Sequence, residues 1–320
     1  MTPITPPPTL DQIRAAHAVV REAFAPPPLV PWGPWRATAE YALPTASFKV
    51  RGALVAVRRA LEAGAAGVVA ASAGNHGQGV GWAAQRLGAP ATIVVPRDCP
   101  AIKLEKMRRY ADVIVCEDAG YDAAEVFARR LAEDRGAPFV SPFDDPWVMA
   151  GNGGTIALEI LDRCPDVSAV VVPVGGGGLF SGLWAAFDAL APHVQLVPVQ
   201  SEASPAFTRS VAEGRWHATW PPAATLAEGL EGGAGQTSVA LAIASGIGGR
   251  TVHESSIRDA MLTLHDATGV PIEGSAAVIE AARREGLLDD LDGEVIGILT
   301  GGNVAPATLD TLRTAPEPTA

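Results

Sequence analysis

The sequence predicts an α/β fold built on parallel sheet with helices on both faces. Three observations support this. Short β-rich apolar runs recur along the chain. Amphipathic segments of helical length alternate with them. The runs are apolar throughout, as strands buried on both faces require.

The opening TPPPTL reads as a loose tail. Thr9 followed by Gln12 has the form of a capping box, which opens a helix over Leu10 to Ala23. GVVAAS (67–72) predicts a buried strand, and NHGQGVGWAAQRLG (75–88) a helix stopped by Gly88. ATIVVP (91–96) and DVIVCE (112–117) predict strands. AIKLEKMRRY (101–110) and YDAAEVFARRLAEDRG (121–136) predict helices. WVMAGNGGTIALEILDRC (147–164) predicts a helix with a glycine-rich break. SAVVVPV (168–174), QLVPVQ (195–200) and EVIGILT (294–300) predict strands, and LFSGLWAAFDAL (179–190) a helix. The Gly, Ala and Pro content of 214–250 predicts loop with one or two short helices. No internal repeat of 20 to 50 residues is found.

A length of 320 residues suits one large domain or two modest ones. The net charge of −11 argues against a uniform nucleic-acid surface, which needs clustered Lys and Arg. Cys99, Cys116 and Cys164 are far apart, so neither a disulfide framework nor a zinc ribbon is indicated. The histidines form no HExxH. The N-terminus lacks the form of a signal peptide, and no apolar run reaches membrane-spanning length. These features lead us to expect a soluble, reduced, cytoplasmic protein with a small-molecule substrate and no membrane or nucleic-acid partner.

In parallel sheets, ligands bind beyond the carboxyl ends of strands. After 168–174 come Gly175, Gly176, Gly177 and Gly178, then a helix. Such a run can wrap an anion with backbone N–H groups, aided by the helix start. A flexible turn is the alternative reading. It is a poor dinucleotide fingerprint, because the third glycine and the later acidic residue are missing. After 67–72 comes Ser72-Ala73-Gly74-Asn75-His76, a helix start suited to a carboxylate. Simple capping by Ser72 explains it as well. Thr300, with Gly301-Gly302-Asn303 behind it, puts a hydroxyl at a strand end, which is also an ordinary turn. Lys49, between Phe48 and Val50 with Arg51 nearby, can act as a Schiff-base amine if desolvated. A phosphate cup, a carboxylate site, a strand-end hydroxyl and a lysine together describe a pyridoxal phosphate site.

SFKVRGA (47–53), SAGNHGQGV (72–80), VPVGGGGLFSG (172–182) and LTGGNV (299–304) resemble the fold-type II pyridoxal phosphate enzymes. The branch they resemble is the threonine/serine ammonia-lyases (dehydratases), with the related serine racemases. PFDDPWVMAGNGGTIALEI (142–160) fits the same pattern. The resemblance implies a two-domain, tryptophan synthase β-like fold. Residues 1–49 and 146–320 would form the large cofactor-binding domain, and 50–145 the small domain.

It also implies roles. Lys49 would hold pyridoxal 5′-phosphate as an internal aldimine and act as general base, with Phe48 beside the ring. Asn75 would bond the 3-hydroxyl. Gly175, Gly176, Gly177, Gly178 and the Leu179 amide would cradle the phosphate. Thr300, where the family usually has Ser or Cys, would face the ring nitrogen. Ser72, Ala73, Asn75 and His76 would line the substrate carboxylate site. The implied reaction is deamination of L-threonine or L-serine to a 2-oxo acid and ammonia by β-elimination. Alternatives are a 3-hydroxyaspartate or phenylserine dehydratase, a racemase-like enzyme, or a silent ligand-binding homologue.

Several departures refine this. Val50 replaces the acidic residue of threonine synthases, and the sulfhydrylase forms SVKDR and TSGNTG are absent. Ala73 stands where serine racemases carry a proton-donating serine. Gln200 and Ala206 stand where relatives hold a divalent cation, so no metal is expected. Ala46 replaces a common glycine, AGNGG (150–154) is one residue longer than usual, and LAEGLEGGAG (226–235) is atypical. The short stretch after the fourth motif leads us to expect no regulatory domain. Dimers are usual in the family, so a homodimer is expected.

Overall fold

A computed structural model describes residues 4–314, Ala119 excepted. The chain begins with α1 (Leu10–Ala23), β1 (Leu29–Trp32), β2 (Trp35–Ala39) and α2 (Lys49–Glu62). Strands and helices then alternate: β3 (Val68–Ala71), α3 (Asn75–Arg86), β4 (Ala91–Val95), α4 (Ala101–Arg108), β5 (Asp112–Val115) and α5 (Tyr121–Arg135). Next come α6 (Pro146–Met149), a π turn (Ala150–Gly154), α7 (Thr155–Arg163), β6 (Val167–Pro173), α8 (Gly178–Leu190) and β7 (Gln195–Ser201). The last elements are α9 (Ala206–Glu213), α10 (Gln236–Ser245), β8 (Arg250–Val252), α11 (Glu254–Thr268), α12 (Gly274–Arg284), β9 (Glu294–Leu299) and α13 (Pro306–Thr314).

Among the described residues the strands make two sheets. The larger runs β1-β2-β9-β6-β7-β8, and the smaller runs β3-β4-β5. Every pairing is parallel except the β1–β2 hairpin. β6, between β9 and β7, is buried at nearly every residue, which is why its sequence shows no alternation. Phe180 of α8 and Phe207 of α9 meet edge-to-face over the large sheet, with centroids 5.2 Å apart. The smaller sheet lies wholly within residues 50–145. No described helix is long and apolar enough to cross a membrane.

The capping box forms in both directions: Thr9 Oγ1 accepts from the Gln12 amide (3.3 Å), and Gln12 Oε1 from the Thr9 amide (2.9 Å). The glycine-rich break at 150–154 is a π turn that joins α6 to α7, a form that absorbs an extra residue within a helix. β1 and β2 escape the sequence reading because prolines in LVPWGPW argue against strand. β1 tolerates Pro31 because it is an edge strand, and Gly33 turns the hairpin at φ 56°. β8 is a three-residue edge strand, too short to give a period.

Candidate active site

The carboxyl ends of β3, β6 and β9 open toward one place, and the start of α2 enters it. Lys49 is the first residue of α2. Its amine donates to the Pro142 carbonyl (2.9 Å) and lies 5.2 Å from the centre of the Phe48 ring. Burial pulls the Lys49 pKa down to about 8, against an upward pull from Glu273. Arg51 plays no part in that shift. Residues two apart on a helix do not share a face, and Arg51 is spent on Glu40 and Glu159.

Pro142 leads directly to the glycine loop. The next residue, Phe143, fills the space where side chains at Gly176 and Gly178 would go. A Cβ at 176 would lie 2.5 Å from the Phe143 ring, and one at 178 would lie 2.7 Å from Phe143 Cα. A Cβ at Gly175 would lie 3.0 Å from the Gly229 carbonyl, and one at Gly177 2.1 Å from Ser238 Oγ. Gly177 also adopts φ 85°. Only glycine permits this path, and it ends at the N-terminus of α8, where Gly178 and Leu179 begin the helix. The loop thus presents backbone N–H groups and a helix start beside the Lys49 amine, which fits a phosphate-bearing aldehyde.

The third wall joins Asn75 to the β9 end. Asn75 Nδ2 donates to Glu273 Oε1 (2.8 Å), and its Oδ1 accepts from Asn303 Nδ2 (2.8 Å). Asn303 also donates to the Thr45 carbonyl (2.7 Å) and, through its amide, to Glu273 Oε2 (3.2 Å). The buried Thr300 accepts the Phe48 amide at its carbonyl (3.0 Å), and Ser47 bridges to Gly301. The lysine turn is therefore stitched to the end of β9. Ala46 enters that turn at φ 50°, the left-handed conformation a glycine would adopt freely.

Ser72 does not cap α3. Its Oγ accepts the Gly74 amide (3.0 Å) and shapes the turn before the helix. Ala73, partly exposed, follows it. His76 points its ring into the protein: Nε2–H donates to the Val140 carbonyl (2.9 Å), and Nδ1 is buried without a partner. Burial and the Lys49 charge hold its pKa down near 3, so the ring is neutral. What His76 offers the opening is its backbone N–H in the first turn of α3. Gln200 is used internally, its Oε1 accepting from the Thr208 amide (2.9 Å) and hydroxyl (3.1 Å).

Glu273 was not singled out from the sequence. It precedes α12 in PIEGSAAV, where an acidic residue at a helix start reads as ordinary capping. Burial pushes its pKa up to about 7, while Asn75 and the Asn303 amide pull it down. Asn303 and Phe143 lay within quoted motifs, but nothing in their spacing separates them from turn residues.

The model of the pyridoxal-phosphate dependent enzyme family matches residues 36–301. An L-threonine ammonia-lyase of Thermotoga maritima is 42% identical over 269 residues, covering 83% of this chain and 66% of that protein. One of Geobacter sulfurreducens is 38% identical over the same coverage. The chain thus spans just under two thirds of the length of these two relatives. Maize serine racemase superposes with a TM-score of 0.88 at 29% identity, covering 95% of this chain and 96% of that one.

Proposed function

The chain belongs to the pyridoxal-phosphate dependent enzyme family, and from that premise we propose that it deaminates a β-hydroxy amino acid of the L-threonine or L-serine type. The products are a 2-oxo acid and ammonia. One observation carries the reading: a desolvated lysine amine stands beside a glycine loop, joined to it through Pro142 and Phe143. The two ammonia-lyase relatives favour this reaction over the rest of the family.

Pyridoxal 5′-phosphate, when bound, supplies an electron sink for charge at the substrate Cα. Lys49 would hold its aldehyde carbon, and the Lys49 amine, when free, would serve as general base at the substrate Cα; a pKa of about 8 leaves a useful neutral fraction at physiological pH. The Gly175–Gly178 loop and the Leu179 amide orient the phosphate. Asn75, fixed on both sides by Glu273 and Asn303, offers its amide toward the ring oxygen. Thr300 would offer the ring nitrogen a hydroxyl, able to hydrogen-bond and not to supply a full proton. Ser72, Asn75 and the first-turn N–H groups of α3 hold the substrate carboxylate at the positive end of a helix. Ala73 brings no proton to the opposite face of Cα, which favours elimination over racemisation.

We further propose the division near residues 50 and 145 into small and large domains, a cytoplasmic homodimer and an amino-acid substrate. The test is a panel of L-serine, L-threonine, 3-hydroxyaspartate and phenylserine, with ammonia and 2-oxo acid measured. Serine or threonine turnover is expected to lead. Ammonia from 3-hydroxyaspartate or phenylserine alone moves the assignment to that substrate. Absence of ammonia from every substrate overturns the lyase reading.

A further inference from the structure

We propose that Asn152, carried by the π turn, is a positioning residue for Lys49: it closes the first turn of α2 by accepting the Gly52 N–H. The inference rests on reading Lys49 as the cofactor lysine.

The first four N–H groups of a helix have no acceptor within it. In α2 these belong to Phe48, Lys49, Val50 and Arg51; the Phe48 amide reaches the Thr300 carbonyl (3.0 Å), and the other three are satisfied locally. The Lys49 amide donates to Ser47 Oγ (3.3 Å), that of Val50 to the Ser47 carbonyl (3.4 Å), and that of Arg51 to the Phe48 carbonyl (3.0 Å). The next, Gly52, whose i−4 acceptor is the Phe48 carbonyl already used by Arg51, donates to Asn152 Oδ1 (2.9 Å), one hundred residues on in the chain. The contact requires glycines. A Cβ at 52 would lie 2.6 Å from the Val148 carbonyl and 2.7 Å from Asn152 Oδ1, and one at 151 would lie 2.7 Å from Gly52 Cα. Asn152 is 1% exposed, and its Nδ2 has no partner.

The grip extends to the next residue. Thr155 Oγ1 donates to the Gly151 carbonyl (2.6 Å) and accepts from Arg51 (3.1 Å). The segment 142–155 therefore holds the lysine at both ends. Pro142 takes the amine, and the π turn takes the helix on which it stands. Between them Asp145 caps α6, accepting the Trp147 (2.7 Å) and Val148 (3.0 Å) amides.

The charged and titratable groups around Lys49 are Glu273, before α12, and His76 of α3. Those beside the π turn are Arg51 with its partners Glu40 and Glu159, and His17 of α1, whose pKa burial lowers. Asn152→Leu changes none of them. It removes both the acceptor and the unpaired donor while keeping the branched shape of the side chain.

The experiment uses the full chain, stripped of cofactor with hydroxylamine, and follows capture of pyridoxal 5′-phosphate by visible absorbance from about pH 6.5 to 9.5. Capture by the unaltered protein is expected to rise with a midpoint of about 8. In Asn152→Leu the midpoint is expected to move up by about one unit, slowing capture roughly tenfold near pH 7 while the alkaline plateau is kept. An unchanged midpoint with a lowered melting temperature means a merely structural role and overturns the proposal. If the variant does not fold, hydrogen exchange in the unaltered chain decides. Protection of the Gly52 amide like that of the helix interior supports the proposal, and exchange at the rate of a free surface amide overturns it. If the unaltered protein captures no cofactor, the Lys49 reading falls and this inference with it.

Discussion

Replacing Arg51 with methionine should expose how the lysine helix is anchored. Arg51 has no solvent exposure and lies between two buried carboxylates. It donates to Glu40 at 2.7 and 3.3 Å, to Glu159 at 2.8 and 3.0 Å and to Thr155 at 3.1 Å. Methionine matches much of the stem but leaves both carboxylates buried without their cation. Breaking a buried ion pair in this way costs about 3–5 kcal/mol. Burial already holds the Glu40 pKa above its usual value, against the downward pull of Arg51. Without Arg51 it must rise further. The folded variant then binds a proton that the unfolded chain releases above its ordinary carboxylate pKa, so its stability falls as pH rises through the raised value. The deficit should therefore be larger at pH 8 than at pH 5.5. Urea unfolding of the cofactor-saturated protein at both pH values reads this directly. Arg51→Lys should recover only part, because an ammonium cannot fork to two carboxylates. Replacing Arg51, Glu40 and Glu159 together with apolar residues should cost less than Arg51→Met alone. An Arg51→Met variant within about 1 kcal/mol of the parent at pH 8 would refute the reasoning.

Three other expectations concern the site itself. Gly176→Ala drives a Cβ to 2.5 Å from the Phe143 ring; overpacking of about 1–3 kcal/mol should weaken pyridoxal 5′-phosphate binding by about 5- to 150-fold in equilibrium titration. Ala46→Gly relieves a left-handed alanine at φ 50° and should stabilise the fold by about 0.5–1 kcal/mol in urea unfolding, glycine entropy offsetting part of the gain. Glu273→Gln removes the carboxylate that raises the Lys49 pKa, so the midpoint of cofactor capture should fall below 8; a midpoint that rises contradicts the assigned polarity.

The strands of the parallel core were legible because burial on both faces leaves continuous apolar runs such as VVVP in β6. The glycine loop, Lys49 and Asn75 were legible because ordered motifs mark them. Glu273 was not, since a carboxylate before a helix has a local explanation and its partners lie 198 and 30 residues away. Arg51 was read as a cation near the lysine because sequence adjacency was taken for proximity. Helical geometry turns it to Glu40 and Glu159 instead. The hairpin of β1 and β2 was hidden by prolines that only an edge strand admits. Ser72 was weighed as a helix cap, and its hydroxyl instead closes the turn before the helix.

That Lys49 carries the cofactor can be tested directly, because lysine is scarce in this chain. The chain has three lysines, Lys49, Lys103 and Lys106. Lys103 and Lys106 stand on α4 and reach the mouth of the same cleft, pairing with Glu228 and Asn303. Borohydride reduction of the protein with pyridoxal 5′-phosphate, followed by peptide mass spectrometry, identifies the lysine that holds it. One adduct per chain is expected, on Lys49, and its loss in Lys49→Ala together with turnover. A stoichiometric adduct on Lys103 or Lys106, or a Lys49→Ala protein that still takes up cofactor and releases ammonia, contradicts it.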